Sequence, residues 1–186
     1  MSLRLGVLAL QGDYQAHTKA FREAGVEPFE VRTADELKQA DALVLPGGES
    51  TTMLKLLHRE KLWDGLREFV SSKPVFATCA GAILLAQQVT KPAQESLGAV
   101  DIDVERNGYG RQLQSSVEKV PFEGVDLEAV FIRAPIIRRT GAAVEVLVSH
   151  NGHPVLVRQG KRLVATFHPE LSSDRRLQRL FLEIAR

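Results

Sequence analysis

Cysteine is nearly absent: Cys79 is the single one in 186 residues. That excludes an intramolecular disulfide and any multi-cysteine metal site. An excess of charge is missing too, since 24 Lys plus Arg stand against 23 Asp plus Glu for a formal net charge of +1. A basic nucleic-acid binder is therefore not the expectation. No long hydrophobic run is present either. The apolar stretch at residues 3–10 ends at Gln11-Gly12-Asp13, too short for a membrane span and without a cleavable small-residue site. The expected setting is cytoplasmic, with no membrane partner. Repeats, low-complexity tracts and linkers are lacking, and so is a Gly-Lys-Ser/Thr phosphate loop. Five histidines show no clustered ligand spacing, so no metal site is expected. What is present is the composition of an ordinary globular chain, 44% hydrophobic and 25% charged, expected to form one domain over residues 1–186.

The first half alternates strand-like and helix-like runs. Residues 3–10 are almost continuously apolar, as in a strand covered on both faces, and residues 13–24 then read as a helix stopped by Gly25. Residues 26–31 form a second strand pattern. Thr33-Ala34-Asp35-Glu36 fits a capping box before the apolar run 42–45. Helical spacing recurs at 51–58 and 62–70, a short buried strand follows at 74–77, and residues 80–87 are small and apolar all round, as in a sunken helix. This order predicts an α/β fold, a doubly wound, mostly parallel sheet with helices on both faces. After residue 98 the pattern becomes strands and turns, at 100–105, 113–120, 129–132, 144–149, 154–158 and 163–167, with Asn151-Gly152 as a hairpin turn. The expectation is an antiparallel extension of the same sheet, whose last strand rejoins the centre before a closing helix marked by Leu177, Leu180, Phe181 and Ile184.

Ligands of open parallel sheets sit beyond the carboxyl ends of the strands. Four such ends are unusual here: Gln11-Gly12, Pro46-Gly47-Gly48-Glu49-Ser50, Thr78-Cys79-Ala80-Gly81 and His168-Pro169-Glu170. Cys79 stands between a buried strand and a helix, where a sharp turn exposes the sulfur and the new helix's amides favour thiolate. Ala80 and Gly81 are small enough for that turn, although Ala77 stands where a glycine often precedes such a nucleophile. A lone cysteine is also a common buried filler. His168 and Glu170 supply a base and an orienting carboxylate from one strand end. The Gly47-Gly48 turn can bring the Gly48 amide beside that of Ala80 as an oxyanion hole. The competing histidines, His17, His58, His150 and His153, are expected in surface or capping positions.

Together, Leu45-Pro46-Gly47-Gly48-Glu49-Ser50-Thr51-Thr52, Thr78-Cys79-Ala80-Gly81 and Phe167-His168-Pro169-Glu170 resemble the class I (triad) glutamine amidotransferases. Leu10-Gln11-Gly12, Val104-Glu105-Arg106-Asn107 and Phe131-Ile132-Arg133-Ala134-Pro135 narrow the resemblance to the glutaminase subunits of pyridoxal 5'-phosphate synthase. The resemblance implies that Cys79 attacks the side-chain amide of L-glutamine, with His168 as base then acid and Glu170 orienting it. It implies glutamine binding by Gly48, Glu49, Ser50, Arg106, Ile132 and Arg133, and a partner-contact or activation role for Gln11 and Gly12. It further implies delivery of ammonia to the synthase subunit in a large hetero-oligomer. No cofactor is implied, because pyridoxal 5'-phosphate is the product of the complex. A glutaminase serving another synthase, or a non-catalytic thiol sensor on the same fold, are the alternatives.

Overall fold

The computed structural model describes residues 2–108 and 115–186. Its centre is a seven-stranded sheet in the order β10 (Glu145–His150), β11 (His153–Gln159), β12 (Arg162–Ala165), β4 (Val75–Thr78), β3 (Ala42–Leu45), β1 (Leu5–Leu8) and β2 (Phe29–Val31). Five of these strands run parallel: β1, β2, β3, β4 and β12. β10 and β11 add an antiparallel edge, joined by the expected Asn151-Gly152 turn with both residues at positive φ. β12 lies beside β4, so the last strand rejoins the centre as the apolar run at 163–167 predicts.

Every residue of β1, β3 and β4 is buried because each strand feeds two cores. Leu43, Leu45, Val75 and Ala77 face one core; Ala42, Val44 and Phe76 face the other. Over the first lie α2 (Ala34–Lys38), α3 (Ser50–Arg59), α4 (Trp63–Ser72) and α5 (Ala80–Leu85), through Leu37, Met53, Leu57, Leu66 and Leu84 among others. Over the second lie α1 (Tyr14–Glu23) and α6 (Arg176–Ala185), where Phe21, Phe76 and Phe181 meet at centroid separations of 5.5–6.2 Å. Burying each such ring is worth about 2–3 kcal/mol, which makes this cluster a principal anchor of both helices. The capping box is present: Thr33 accepts from the Glu36 amide, and Glu36 accepts from that of Thr33.

The second half differs from one extended sheet. Among the described residues, only β10 and β11 extend the central sheet as an antiparallel edge. β5 (Ala86–Thr90), β6 (Val100–Glu105) and β9 (Ile136–Thr140) form a three-stranded sheet against the first core, and β7 (Ser115–Phe122) and β8 (Val125–Ile132) form a ribbon against the second. The reason is in the alternation. Val100, Ile102 and Val104 of β6, and Val120, Phe122, Leu127, Ala129 and Phe131 of the ribbon, give each strand one apolar face, whereas a central strand of a parallel sheet needs two. The first two residues of the expected strand at 113–120 lie outside the described residues. The helix expected to reach residue 87 ends at Leu85, because Gln87 and Gln88 are exposed and could not continue a fully buried helix. β9 was not anticipated from its Ile-Ile-Arg-Arg-Thr sequence; its arginines are paired across the strands, Arg139 with Asp101 and Asp103 and Arg138 with Glu105.

Candidate active site

The strand order brings the unusual loops together. Because β12, β4, β3 and β1 are neighbours running the same way, His168, Cys79, Gly47-Gly48 and Gln11-Gly12 emerge side by side at one edge. The Asp13 amide donates to the Gly47 carbonyl at 3.2 Å, tying the Gln11-Gly12 loop to the Gly47-Gly48 loop. Gly12, at φ +92°, sits so close that a Cβ would overlap that carbonyl oxygen. The Gln11 side-chain oxygen accepts from the Glu49 amide at 2.9 Å and lies against Gly48.

Cys79 occupies the strained turn that the sequence predicts. Its φ of 47° and ψ of −103° are foreign to an L-residue, and strain of this kind amounts to about 1–3 kcal/mol. Its amide is anchored on the Ala165 carbonyl at 3.0 Å, and α5 begins at Ala80, whose amide belongs to the first turn with no acceptor inside the helix. Cys79 is only 7% exposed, and its sulfur lies 4.0 Å from the Ile132 carbonyl oxygen.

His168 is held from three sides. Its amide donates to Val130 at 2.8 Å. Nδ1 lies 2.7 Å from Glu170 Oε1 and 3.2 Å from Asp13 Oδ2. Gly47 lies against the imidazole, where a Cβ would overlap Cε1. Burial disfavours the imidazolium, but hydrogen bonds with Asp13, Cys79 and Glu170 and the nearby charges outweigh it, pushing the pKa up to about 12. Glu170 is pushed up to about 8, chiefly by burial. For Asp13 burial acts in the same upward direction, but hydrogen bonds with His168 and Glu170 prevail and hold the carboxyl well below its usual range.

A cleft of 340 Å³ opens above Cys79 and His168, lined also by Gln11, Gly48, Glu49, Ser50, Ile83, Arg106, Asn107, Ile132 and Arg133. Nearly every residue singled out from the sequence is therefore on its wall; Gly12, Ala80 and Glu170 lie immediately behind it. Glu49 is turned toward its own helix. Its carboxylate accepts from the amides and hydroxyls of Thr51 and Thr52 and stands 3.5 Å from Arg106, and although burial opposes the shift, these bonds lower its pKa to about 2. Ser50 Oγ donates to Gln94 at 2.9 Å.

Sequence reasoning missed two members. His17, expected at the surface or as a cap, is fully buried: Nε2 lies 3.0 Å from Thr78 Oγ1 and 3.4 Å from Glu170 Oε2. Burial lowers its pKa to about 4, so it is neutral. The signal was its place on the stripe His17, Ala20, Phe21 that α1 turns toward the sheet. Asp13, four residues before it, shares that direction. Of the remaining histidines, His58 is partly exposed beside Glu95, while His150 and His153 flank the hairpin turn, His150 stacking on Phe131.

Comparison with known proteins agrees with this geometry. The chain is 57% identical to the pyridoxal 5'-phosphate synthase subunit PdxT of Solibacter usitatus, over 96% of this chain and 97% of the relative. It is 47% identical to the PdxT of Thermotoga maritima, over 99% of this chain and 100% of the relative. A crystal structure of a glutamine amidotransferase superposes with a TM-score of 0.91 at 49% identity, covering 97% of this chain and 98% of the other. The structure of PurLQS from Thermotoga maritima, at 17% identity and a TM-score of 0.71, covers 100% of both chains and shares the fold. The model of the SNO glutamine amidotransferase family matches residues 7–186, and the chain belongs to that family.

Proposed function

We propose that this chain hydrolyses L-glutamine to L-glutamate and ammonia, and that the ammonia is delivered to a synthase subunit making pyridoxal 5'-phosphate. The observation that carries the reading is the convergence of Cys79, His168 and Glu170, from the ends of β4 and β12, beneath one cleft. The full-length similarity to PdxT subunits supports the substrate and the partner.

In this reading the Cys79 thiolate attacks the side-chain carbonyl carbon of glutamine. The developing oxyanion meets the Gly48 and Ala80 amides. Protonated His168 gives its proton to the departing nitrogen, so ammonia leaves and a thioester remains on Cys79. Neutral His168 then takes a proton from water, the hydroxide adds to the thioester, and glutamate departs as the thiolate is restored. Arg106 and Arg133 suit the substrate carboxylate, and the wall from Gly48 to Ser50 suits the rest of the amino acid. Since Glu49 already caps α3, its contribution is to fix that wall. Gln11 bridges to the Glu49 amide beside Gly48, so a partner that moves the Gln11-Gly12 loop would reorient the oxyanion peptide. No cofactor takes part in these steps, and the cytoplasm is the proposed compartment.

Glutamate release, with and without a pyridoxal 5'-phosphate synthase subunit, tests the reading. Cys79→Ala is expected to lose at least about 10³-fold in kcat. Undiminished turnover by that variant overturns the mechanism. Co-purification with a different glutamine-dependent synthase overturns the partner assignment alone.

A further inference from the structure

Beneath the cleft, a single Nδ1 of His168 faces two carboxylates. Glu170 Oε1 is at 2.7 Å and Asp13 Oδ2 at 3.2 Å. The donor supply falls short of what two ionised carboxylates need. Asp13 Oδ1 and Glu170 Oε2 are both sealed from solvent without a hydrogen-bond partner among the described residues. His17, whose ring nitrogen lies with one oxygen from each carboxylate inside a 4.8 Å group, brings no positive charge because it is neutral. Two like charges this close in a buried site do not both persist, and a proton held by the pair supplies the missing donor. Exposure decides which member keeps the charge. The Glu170 side chain is 0% exposed, whereas that of Asp13 is 27% exposed, so charge on Asp13 loses less hydration.

We propose that Asp13 is a positioning residue for His168: a second carboxylate that carries most of the negative charge opposite the imidazolium while Glu170 holds the shared proton. The opposite directions of the two carboxyl pKa values agree with this division. Asp13 is suited to the task by its place. Its amide is bound to the Gly47 carbonyl, so the loop that carries the charge is also the loop that abuts Gly47-Gly48. The other ionisable groups facing His168 are His17 on α1, Glu170 after β12 and Cys79 after β4; Glu49, Arg106 and Arg133 stand across the cleft. The inference rests on His168 acting as the base for Cys79.

The test is a nuclear magnetic resonance titration of the His168 imidazole in the full chain, in a Cys79→Ala background that removes the thiolate's own effect. The isosteric variants Asp13→Asn and Glu170→Gln, and the two combined, are compared. The Asp13 side chain makes no capping bond to α1, asparagine matches its shape, and glutamine keeps an acceptor for Nδ1–H, so both single variants keep the local shape. Asp13→Asn forces the remaining charge onto fully buried Glu170, and the His168 midpoint is expected to fall by about one pH unit or more, a tenfold change in acidity. Glu170→Gln is expected to fall less than Asp13→Asn, and the double variant to fall well below either. The proposal is overturned if Asp13→Asn leaves the midpoint in place, or if Glu170→Gln alone already reaches the value of the double variant. A variant that unfolds is identified by its spectrum, and the remaining single variant then decides against Cys79→Ala alone: Asp13→Asn supports the proposal by a fall of about one pH unit or more and overturns it by none, whereas Glu170→Gln supports it by a smaller fall and overturns it by a larger one. Neither glutamine nor a partner enters the measurement, so its failure leaves the glutaminase reading intact, and a chain inert toward glutamine leaves the titration result standing.

Discussion

The central sheet and the small sheets that flank it divide the work of the site. The central strands are buried on both faces, and the residues that converge around His168 stand at their ends: Cys79 after β4, His168 and Glu170 after β12, Gly47 after β3 and Asp13 after β1. The flanking sheets have one apolar face each and supply the far wall of the cleft: Arg106 after β6, and Ile132 and Arg133 from β8 and the residue following it. Bond rearrangement needs positions fixed to a fraction of an ångström, and a doubly covered sheet gives that. Recognition of an ammonium and a carboxylate tolerates a looser wall. The difference predicts that damage at the central strand ends appears in kcat, whereas damage on the flanking wall appears in KM.

The largest expected effect that would break this division is at Gly47. A methyl group there overlaps His168 Cε1, and the imidazole must shift away from the line between Cys79 and the carboxylates. Displacement of a base by about 1 Å is worth about 10²-fold, so Gly47→Ala is expected to lower kcat by roughly that factor with little change in KM. Steady-state glutamine kinetics check it. A variant whose KM rises while kcat holds would show that the loop serves binding instead. Next in size is Arg106→Ala. Removing a guanidinium that meets a carboxylate forfeits about 1.5–3 kcal/mol, so KM is expected to rise about 10- to 100-fold with kcat nearly unchanged. A kcat collapse in Arg106→Ala would erase the distinction between the two regions.

The same contrast explains what could be read from the amino-acid order. The run Ala42-Leu43-Val44-Leu45 matches β3 residue for residue, because a strand covered on both faces must be apolar throughout. Cys79 and His168 were legible because each ends such a run with a residue that burial alone does not demand. The flanking strands were harder. Ile136-Ile137-Arg138-Arg139-Thr140 becomes β9 only through Asp101, Asp103 and Glu105, whose carboxylates come from some thirty-five positions away in the chain. His17 and Asp13 were missed for a related reason. A polar residue on a helix stripe looks solvated until the partners that satisfy it, here Thr78, Glu170 and His168, are brought from the other strands.

His17 also gives the smallest of the expected effects, one that sharpens the comparison by asking whether the buried side of the site serves stability as well as chemistry. Its pKa is lowered by burial to about 4, against about 6.5 in an unfolded chain. The unfolded state therefore takes up a proton as pH falls below about 6.5 while the folded state does not until about 4, so the stability that neutral His17 contributes is present above that window and is lost as pH falls through it. Glu170 acts in the opposite sense. Its pKa is raised to about 8, so its contribution is present below the ordinary carboxylate range and is lost as pH rises toward 8. The total pH dependence thus mixes both signs, and only a difference isolates His17. His17→Gln keeps a polar partner for Thr78 but does not titrate. Relative to this variant, the wild type is expected to lose about 1–2 kcal/mol of unfolding free energy between pH 7.5 and pH 5, read from denaturant midpoints at the two pH values. Parallel curves for the two chains would mean that His17 takes up its proton without unfolding the helix, and that the floor of the site yields as readily as its flanking wall.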